Sequence, residues 1–350
     1  MKNTRELCVG NVKIGGNNPV SIQSMTTTDT RDAKKTLNQI TELFNAGCQI
    51  VRVAVPDEVA AYALEEICEK SPIPVVADIH FNYKLALIAA DMGISKIRIN
   101  PGNIGSESNV EAVAKKCLEK KIPIRIGVNS GSVEKSALQK YGGPTAEALV
   151  ESAFFHINLL EKYGFNDICI SIKSSDVPTM MKSYILMSEK CDYPLHLGVT
   201  EAGTEYMGTI KSSAGIGGLL ALGIGDTIRV SLTANPVKEI YAAKAILKAV
   251  GLNDSGVNVV SCPTCGRCNI NLIDIASEVE QKVSNIEEKI TVAVMGCVVN
   301  GPGEAKEADF GLAGGNGEGI IFKKGEIVKK VPQNELVSQL MKMIYDEIGE

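Results

Sequence analysis

The chain has 350 residues, enough for one domain of about 250 residues and a smaller one of about 100. A net charge of −5 and a hydrophobic content of 45% exclude a generally basic nucleic-acid-binding surface and a disordered chain. The longest apolar candidate, residues 215–225, is too short and Gly-rich to cross a bilayer, and residues 1–10 lack the apolar core of a signal peptide. With ten cysteines and no export signal, the chain reads as cytoplasmic, its clustered thiols suited to metal rather than to disulfides.

In chain order, short β-branched runs alternate with amphipathic stretches. Strands are predicted over 20–25, 50–55, 74–79, 95–100, 123–128, 167–173, 194–200 and 226–232. The first intervening helix spans 32–47, with Leu37, Ile40, Leu43 and Phe44 at helical spacing and Gly47 as the stop. Eight such alternations predict an α/β fold, a (β/α)8 TIM-type barrel, with a doubly wound sheet as the competing arrangement. The pattern changes at the turn-rich GLNDSG, which sets the domains at 1–251 and 252–350. The second domain reads as a smaller α+β module. It has strands over 257–262 and 289–297, a helix over 271–286, a hairpin turning at Lys324-Gly325 and a final helix over 334–350.

Arginine is scarce, 7 against 29 lysines, yet Arg52, Arg98, Arg125 and Arg229 all fall inside predicted strands between Val and Ile. Side chains alternate across a strand, so the aliphatics face the helices and each Arg faces the barrel interior. An unpaired cation there costs several kcal/mol, so an anion must meet it. Lys173, Asp78, His80 and Glu201 follow or end strands at the face where barrel enzymes keep their chemistry, and Asn100, Asn129 and Ser231 lie close by. A ligand with two phosphate groups suits this charge better than internal ion pairs alone. INPGNIG (99–105) and KSSAGIGG (211–218) offer Gly-rich loops to a phosphate, a weak signal. Of the three histidines, His156 reads as structural, His196 fits either role, and His80 has the best functional case.

SCPTCGRC (261–268) carries Cys262, Cys265 and Cys268, and Cys297 follows alone in VMGCVVNGPGEA (294–305). A zinc site built from these four thiols is possible, but structural zinc usually takes two separated thiol pairs. An iron–sulfur cubane accepts two or three clustered thiols with a remote one. Glu304 could supply a weaker oxygen ligand. The other six cysteines read as small apolar core residues.

These two motifs, with VGNVKIGG, IQSMT, IVRVAVP, ADIHF, IRINPGNIG, RIGVNSGS, SIKSSD, TEAG, KSSAGIG and IRVSLT in order along the chain, resemble the 4-hydroxy-3-methylbut-2-enyl diphosphate synthase family (IspG), in its short two-domain bacterial form. The resemblance implies an iron–sulfur oxidoreductase of isoprenoid biosynthesis. It would open 2-C-methyl-D-erythritol 2,4-cyclodiphosphate by two-electron reduction with loss of a hydroxyl as water. It implies a [4Fe–4S] cluster held by Cys262, Cys265, Cys297 and Glu304, with Cys268 a spectator and Glu304 the ligand that yields. Carried onto this chain, Arg52, Arg98, Arg125, Lys173 and Arg229 answer the diphosphate. Asn129 and Ser231 support it, Asp78 and His80 shape the pocket, Glu201 is the acid–base group, and Asn300 orients the substrate. Flavodoxin or ferredoxin is the implied electron donor. The last barrel helix returns the chain away from the barrel mouth, so a head-to-tail homodimer is expected. The competing classes are a pterin-synthase-like barrel transferase carrying a structural zinc module, and an iron–sulfur electron carrier; the second leaves the strand arginines unexplained.

Overall fold

The first helix shows how local sequence sets the barrel layers. Asp32 accepts a hydrogen bond from the Lys35 N–H and caps the helix Ala33–Ala46, and Gly47 closes it at φ 101°. The buried stripe is Thr36, Ile40, Leu43 and Ala46, so the apolar face is offset from the expected one and Phe44 is exposed. Each aliphatic on such a stripe contributes about 1.5–3 kcal/mol of transfer free energy when buried. The computed structural model describes residues 1–253, 255–297 and 305–349. It divides the chain into two units, Met1–Asn253 and Asp254–Glu350.

In the first unit a hairpin, β1 (Leu7–Val9) and β2 (Val12–Ile14), precedes eight parallel strands: β3 (Ser21–Met25), β4 (Ile50–Ala54), β5 (Val75–Asp78), β6 (Lys96–Ile99), β7 (Ile124–Asn129), β8 (Ile168–Lys173), β9 (His196–Leu197) and β10 (Thr227–Ile228). The hydrogen-bonded order is β8-β7-β6-β5-β4-β3-β10-β9, and a parallel bridge from Ile170 to Leu195 brings the two ends together. This is the expected TIM-type barrel. One set of alternating side chains, including Val51, Val53, Ala77, Ile97, Ile126 and Ile172, packs with the helices in the large core. The opposite set faces inward. Ile50, Val76 and Cys169 form its lowest layer and pack against Leu7, Val9 and Ile14 of the hairpin, which plugs that end.

One element was not expected, and two expectations need correction. The hairpin β1–β2 has strands of three residues each, too short to announce themselves as an alternating pattern. The strands expected over 194–200 and 226–232 shrink to two residues each, so Arg229 lies one residue past β10. After β10 the Arg229 N–H still donates to the Leu197 carbonyl, but the Leu232 N–H donates to the Glu239 carboxylate of the following helix rather than to a neighbouring strand. Among the other six cysteines, Cys48, Cys117 and Cys169 are buried as expected, whereas Cys8 is exposed.

The second unit has a five-stranded sheet, β11 (Asn258–Ser261), β12 (Thr291–Met295), β13 (Phe310–Gly314), β14 (Glu318–Lys323) and β15 (Glu326–Pro332), in sequential order. The first three are mutually parallel and the last two antiparallel. The β14–β15 turn places Lys324 at φ 48° and Gly325 at φ 79°, as expected for a two-residue hairpin. β13 lies in a stretch too rich in Gly to read as a strand. Phe322 crosses over Gly311, where an added Cβ would meet its ring at 2.2 Å. The helices Leu272–Lys282 and Leu336–Ile348 share an apolar core with the sheet. Among the described residues no helix is long and apolar enough to cross a membrane.

Candidate functional site

Strand alternation carries cations up the inside of the barrel. Arg52 on β4, Lys96 and Arg98 on β6, and Arg125 on β7 are all buried. Lys173 ends β8 half-buried. Asp78 at the end of β5 is the carboxylate among them. Its Oδ1 lies 3.1 Å from Arg98 Nη1 and its Oδ2 3.5 Å from Arg52 Nε. Exposed His80 reaches the same carboxylate, with Nε2 at 3.6 Å. Burial alone would raise the Asp78 pKa, but Arg52, then His80 and Arg98, hold it far below the usual carboxylate range. Arg229 turns to Glu239 of the helix Pro236–Ala249, with Nη2 3.2 Å from Oε1.

The remaining donors are under-used. Arg125 Nη1 donates to Gln23 Oε1 at 3.3 Å, while its Nε and Nη2 have no hydrogen-bond partner among the described residues. Arg52 rests two nitrogens on the Met25 sulfur, a weak acceptor, and its Nη1 is unpartnered in the same sense. Burial, then the neighbouring Arg52 and Arg125, push the Lys173 amine well below its ordinary pKa. His196 is also pushed down, by burial first and by Arg125 next. Inward cations therefore outnumber carboxylates, an arrangement that an anion stabilises.

Of the other expected residues, Asn129 closes β7 with a buried Oδ1 that has no hydrogen-bond partner among the described residues, and Ser231 lies half-buried beyond β10. Glu201 is exposed and holds φ 51°. Lys121 and Lys324 share that backbone region for a helix C-cap and a hairpin turn, whereas Glu201 sits in the loop after β9. Left-handed non-Gly residues in such loops cluster at functional sites. His156 is buried in the helix Ala146–Glu161 with Nε2 3.0 Å from Glu134 Oε1. Of the two Gly-rich segments, KSSAGIGG is not a loop. KSSAGIGG runs within helix, including a π-helical turn at Ser213–Gly217; an added Cβ on Gly215 would meet Met180 Cε at 2.5 Å. In INPGNIG, the Gly102 N–H already donates to Asn100 Oδ1. Lys96, Gln23 and Glu239 were not singled out from sequence. Lys96 was findable, since SKIRIN places it two residues from Arg98 and thus on the same face.

In the second unit, Cys262 follows β11 and Cys297 follows β12, two adjacent parallel strands in register at Ser261 and Val294. Loops from neighbouring carboxyl ends converge, as in open parallel sheets generally. Cys262, Cys265, Cys268 and Cys297 line one pocket of about 180 Å³ with Pro263, Arg267 and Gly296. The Gly296 N–H donates to Cys262 Sγ at 3.2 Å. The Arg267 backbone N–H, then its guanidinium, lower the pKa of the exposed Cys265 thiol. Both features favour thiolate ligands. Cys268 differs: its thiol donates to the Ile270 carbonyl at 3.2 Å and packs against Gly296, where an added Cβ would lie 2.7 Å from the sulfur. Among the described residues no three His, Cys, Asp or Glu side chains are grouped around a single ion position. A thiol-rich pocket suits iron–sulfur or zinc chemistry by ligand softness. Glu304 and Asn300 lie outside the described residues.

A barrel with a cationic interior, together with a small thiol-bearing α/β unit, defines the class: a two-unit protein with a TIM-type barrel followed by a cysteine-bearing module. The description "GcpE TIM-barrel domain" matches residues 4–244 and "GcpE protein C-terminal domain" matches 258–346. The chain belongs to the GcpE (IspG) family. A relative from Clostridium perfringens is 62% identical over 343 residues, 98% of each chain. Another from Brevibacillus brevis is 59% identical over 347 residues, 99% of this chain and 96% of that one. Both are named 4-hydroxy-3-methylbut-2-en-1-yl diphosphate synthase (flavodoxin). The barrel is also similar in fold to a type I 3-dehydroquinate dehydratase from Clostridium difficile, with a TM-score of 0.53 at 14% identity over 71% of this chain and 98% of that one.

Proposed function

We propose that this chain performs the reaction its relatives are named for, making 4-hydroxy-3-methylbut-2-en-1-yl diphosphate. The substrate is 2-C-methyl-D-erythritol 2,4-cyclodiphosphate, opened by two-electron reduction with loss of a hydroxyl as water. The observation that carries this reading is the excess of inward cations, Arg52, Lys96, Arg98, Arg125, Lys173 and Arg229, over the carboxylates Asp78 and Glu239. Two phosphodiester charges offset much of that excess, whereas a neutral substrate leaves it uncompensated.

On this reading Arg52, Arg98 and Arg125 grip the phosphates through their unpartnered donors, and Lys173 and Arg229 join them. Asn129 and Ser231 add neutral hydrogen bonds. Asp78 keeps Arg52 and Arg98 oriented, and His80 covers the rim beside it. Glu201 moves a proton on the barrel side, and Asn300 orients the substrate. The cofactor is a [4Fe–4S] cluster held by Cys262, Cys265, Cys297 and Glu304; when bound it supplies low-potential electrons and a Lewis-acidic corner. The Gly296 N–H steadies Cys262, Arg267 favours the Cys265 thiolate, and Cys268 stands aside on Ile270. The relatives' name supports flavodoxin as electron donor, with ferredoxin the alternative. A cytoplasmic, head-to-tail homodimer belongs to the same reading. It is supported by the chain's free cysteines and by the few residues that separate the last barrel helix, ending at Ala249, from β11.

The test is anaerobic turnover of the cyclic diphosphate with a chemical reductant. Wild type and Cys268→Ser are expected to form product, and Glu304→Ala to lose most of it. A colourless, zinc-containing protein with no electron requirement contradicts the proposal in favour of a transferase. An inactive Cys268→Ser beside an active Glu304→Ala reverses the ligand assignment.

A further inference from the structure

Lys96 has no role in the reading above beyond its charge. It sits on β6 with its side chain inside the barrel, two residues before Arg98 and in register with Val76 of β5. It is fully buried, and its Nζ has no hydrogen-bond partner among the described residues. Facing it are Arg52 of β4, Arg125 of β7, Cys169 of β8 and His196 of β9. Further toward the mouth lie Asp78, Arg98 and Lys173, and Asp78 is already shared between two guanidiniums.

Among the described residues no carboxylate pairs with an ammonium at this position. Burial, outweighing the pull of the Cys169 thiol and reinforced by Arg125 and Arg52, lowers the Lys96 pKa to about 8. Cys169 cannot serve as a standing counter-ion, because burial raises its own pKa. A dianion arriving at the mouth reverses the balance. It attracts positive charge one layer below it, and its attraction is weakly screened in a dry interior. Linkage makes the effect reciprocal: a ligand that favours the charged amine binds better when the amine is charged.

Resting on the reading of the mouth as a diphosphate site, we infer that Lys96 is a positioning residue that takes up a proton when the cyclic diphosphate binds, so that substrate affinity and the charge of the barrel floor rise together. The direction follows from the signs. Below pH about 8 the amine is largely charged beforehand, and binding takes up little. Above it, each binding event draws a proton from solvent, and affinity falls as pH rises until the bound-state pKa is passed. Replacing Lys96 by Arg, charged throughout, removes that segment of the profile. Replacing it by Met removes the charge at every pH.

The experiment is calorimetric titration of the oxygen-protected holoenzyme with the cyclic diphosphate, without reductant so that no turnover occurs. It is run from pH 7 to 10 in buffers of different ionisation enthalpy. The phosphodiester groups do not titrate in this range, so protons counted belong to the protein. Wild type is expected to take up about one proton more than Lys96→Arg near pH 9, and its affinity to fall up to about tenfold more per pH unit. Lys96→Met is expected to bind more weakly than wild type at pH 7 and to share the lower proton count of Lys96→Arg. Equal proton counts and parallel profiles for wild type and Lys96→Arg overturn the inference while leaving the diphosphate site standing. Should neither variant fold, wild type and Lys173→Arg decide together, since the Lys173 amine is also lowered and nearer the mouth: no proton uptake by wild type near pH 9, or an uptake that Lys173→Arg abolishes, overturns the inference, and an uptake that Lys173→Arg retains upholds it. No binding by wild type at any pH overturns the reading of the mouth and this inference with it.

Discussion

Asp78→Asn is expected to destabilise the barrel by about 3–5 kcal/mol, the usual cost of stranding buried charges by removing one partner. The carboxylate accepts from Arg98 at 3.1 Å and neutralises Arg52 at 3.5 Å, with all three groups buried. An amide can keep one hydrogen bond but not the charge, and Arg125 stands close by to add repulsion. In thermal unfolding of a unit this size, the loss corresponds to a drop of roughly 10 °C in the barrel transition. The pH dependence has a definite sign. The Asp78 pKa is lowered in the folded state, so its stabilisation is fully present above the unfolded value of about 4 and is lost as pH falls below it. The gap between wild type and Asp78→Asn should therefore be flat from pH 5 to 8 and close in acid. Phosphate or pyrophosphate should restore part of the loss by answering the freed guanidiniums. A variant as stable as wild type at pH 7 would mean that the arginines are compensated from elsewhere.

The second large effect concerns the thiols. Cys262→Ser, Cys265→Ser and Cys297→Ser are each expected to lower iron content and to cut activity by well over the roughly 10–100-fold that outer-shell losses alone produce. Cys268→Ser is expected to retain iron and activity within a few-fold. All four sulfurs border one pocket, so proximity does not separate them. What separates them is prior use: the Cys268 thiol is committed to the Ile270 carbonyl and wedged on Gly296, while Cys262 receives an N–H and Cys265 is electrostatically prepared. Iron analysis and visible absorbance of anaerobically purified variants check this. Loss of iron from Cys268→Ser with retention in Cys265→Ser would exchange their roles.

The barrel was legible because its signal is repeated. Runs such as IVRVAV and PIRIGV alternate aliphatic and cationic residues, and both halves of that alternation carry meaning, one for the helix layer and one for the interior. The hairpin Leu7–Ile14 was not legible, since three-residue strands leave no period to detect. Nor was the early end of β10, which depends on Glu239 arriving from a later helix to take a backbone N–H and the Arg229 fork. Glycines misled in KSSAGIGG for a related reason. A Gly selected for close helix packing on Met180 and Met181 looks the same in sequence as one selected for a phosphate loop. The cysteine motif was legible as chemistry; the separate standing of Cys268 was expected only through the family resemblance, and its hydrogen bond to the Ile270 carbonyl supports that expectation.

On the proposed function, the chain binds a cyclic diphosphate through the barrel's inward cations and would hold an iron–sulfur cofactor on its clustered thiols. Electron paramagnetic resonance of the reduced, oxygen-protected protein, recorded with and without the cyclic diphosphate, tests it most directly. About four irons per chain are expected, with a cluster signal that shifts when the cyclic diphosphate is added. A loaded protein whose signal is identical with and without saturating cyclic diphosphate would contradict it.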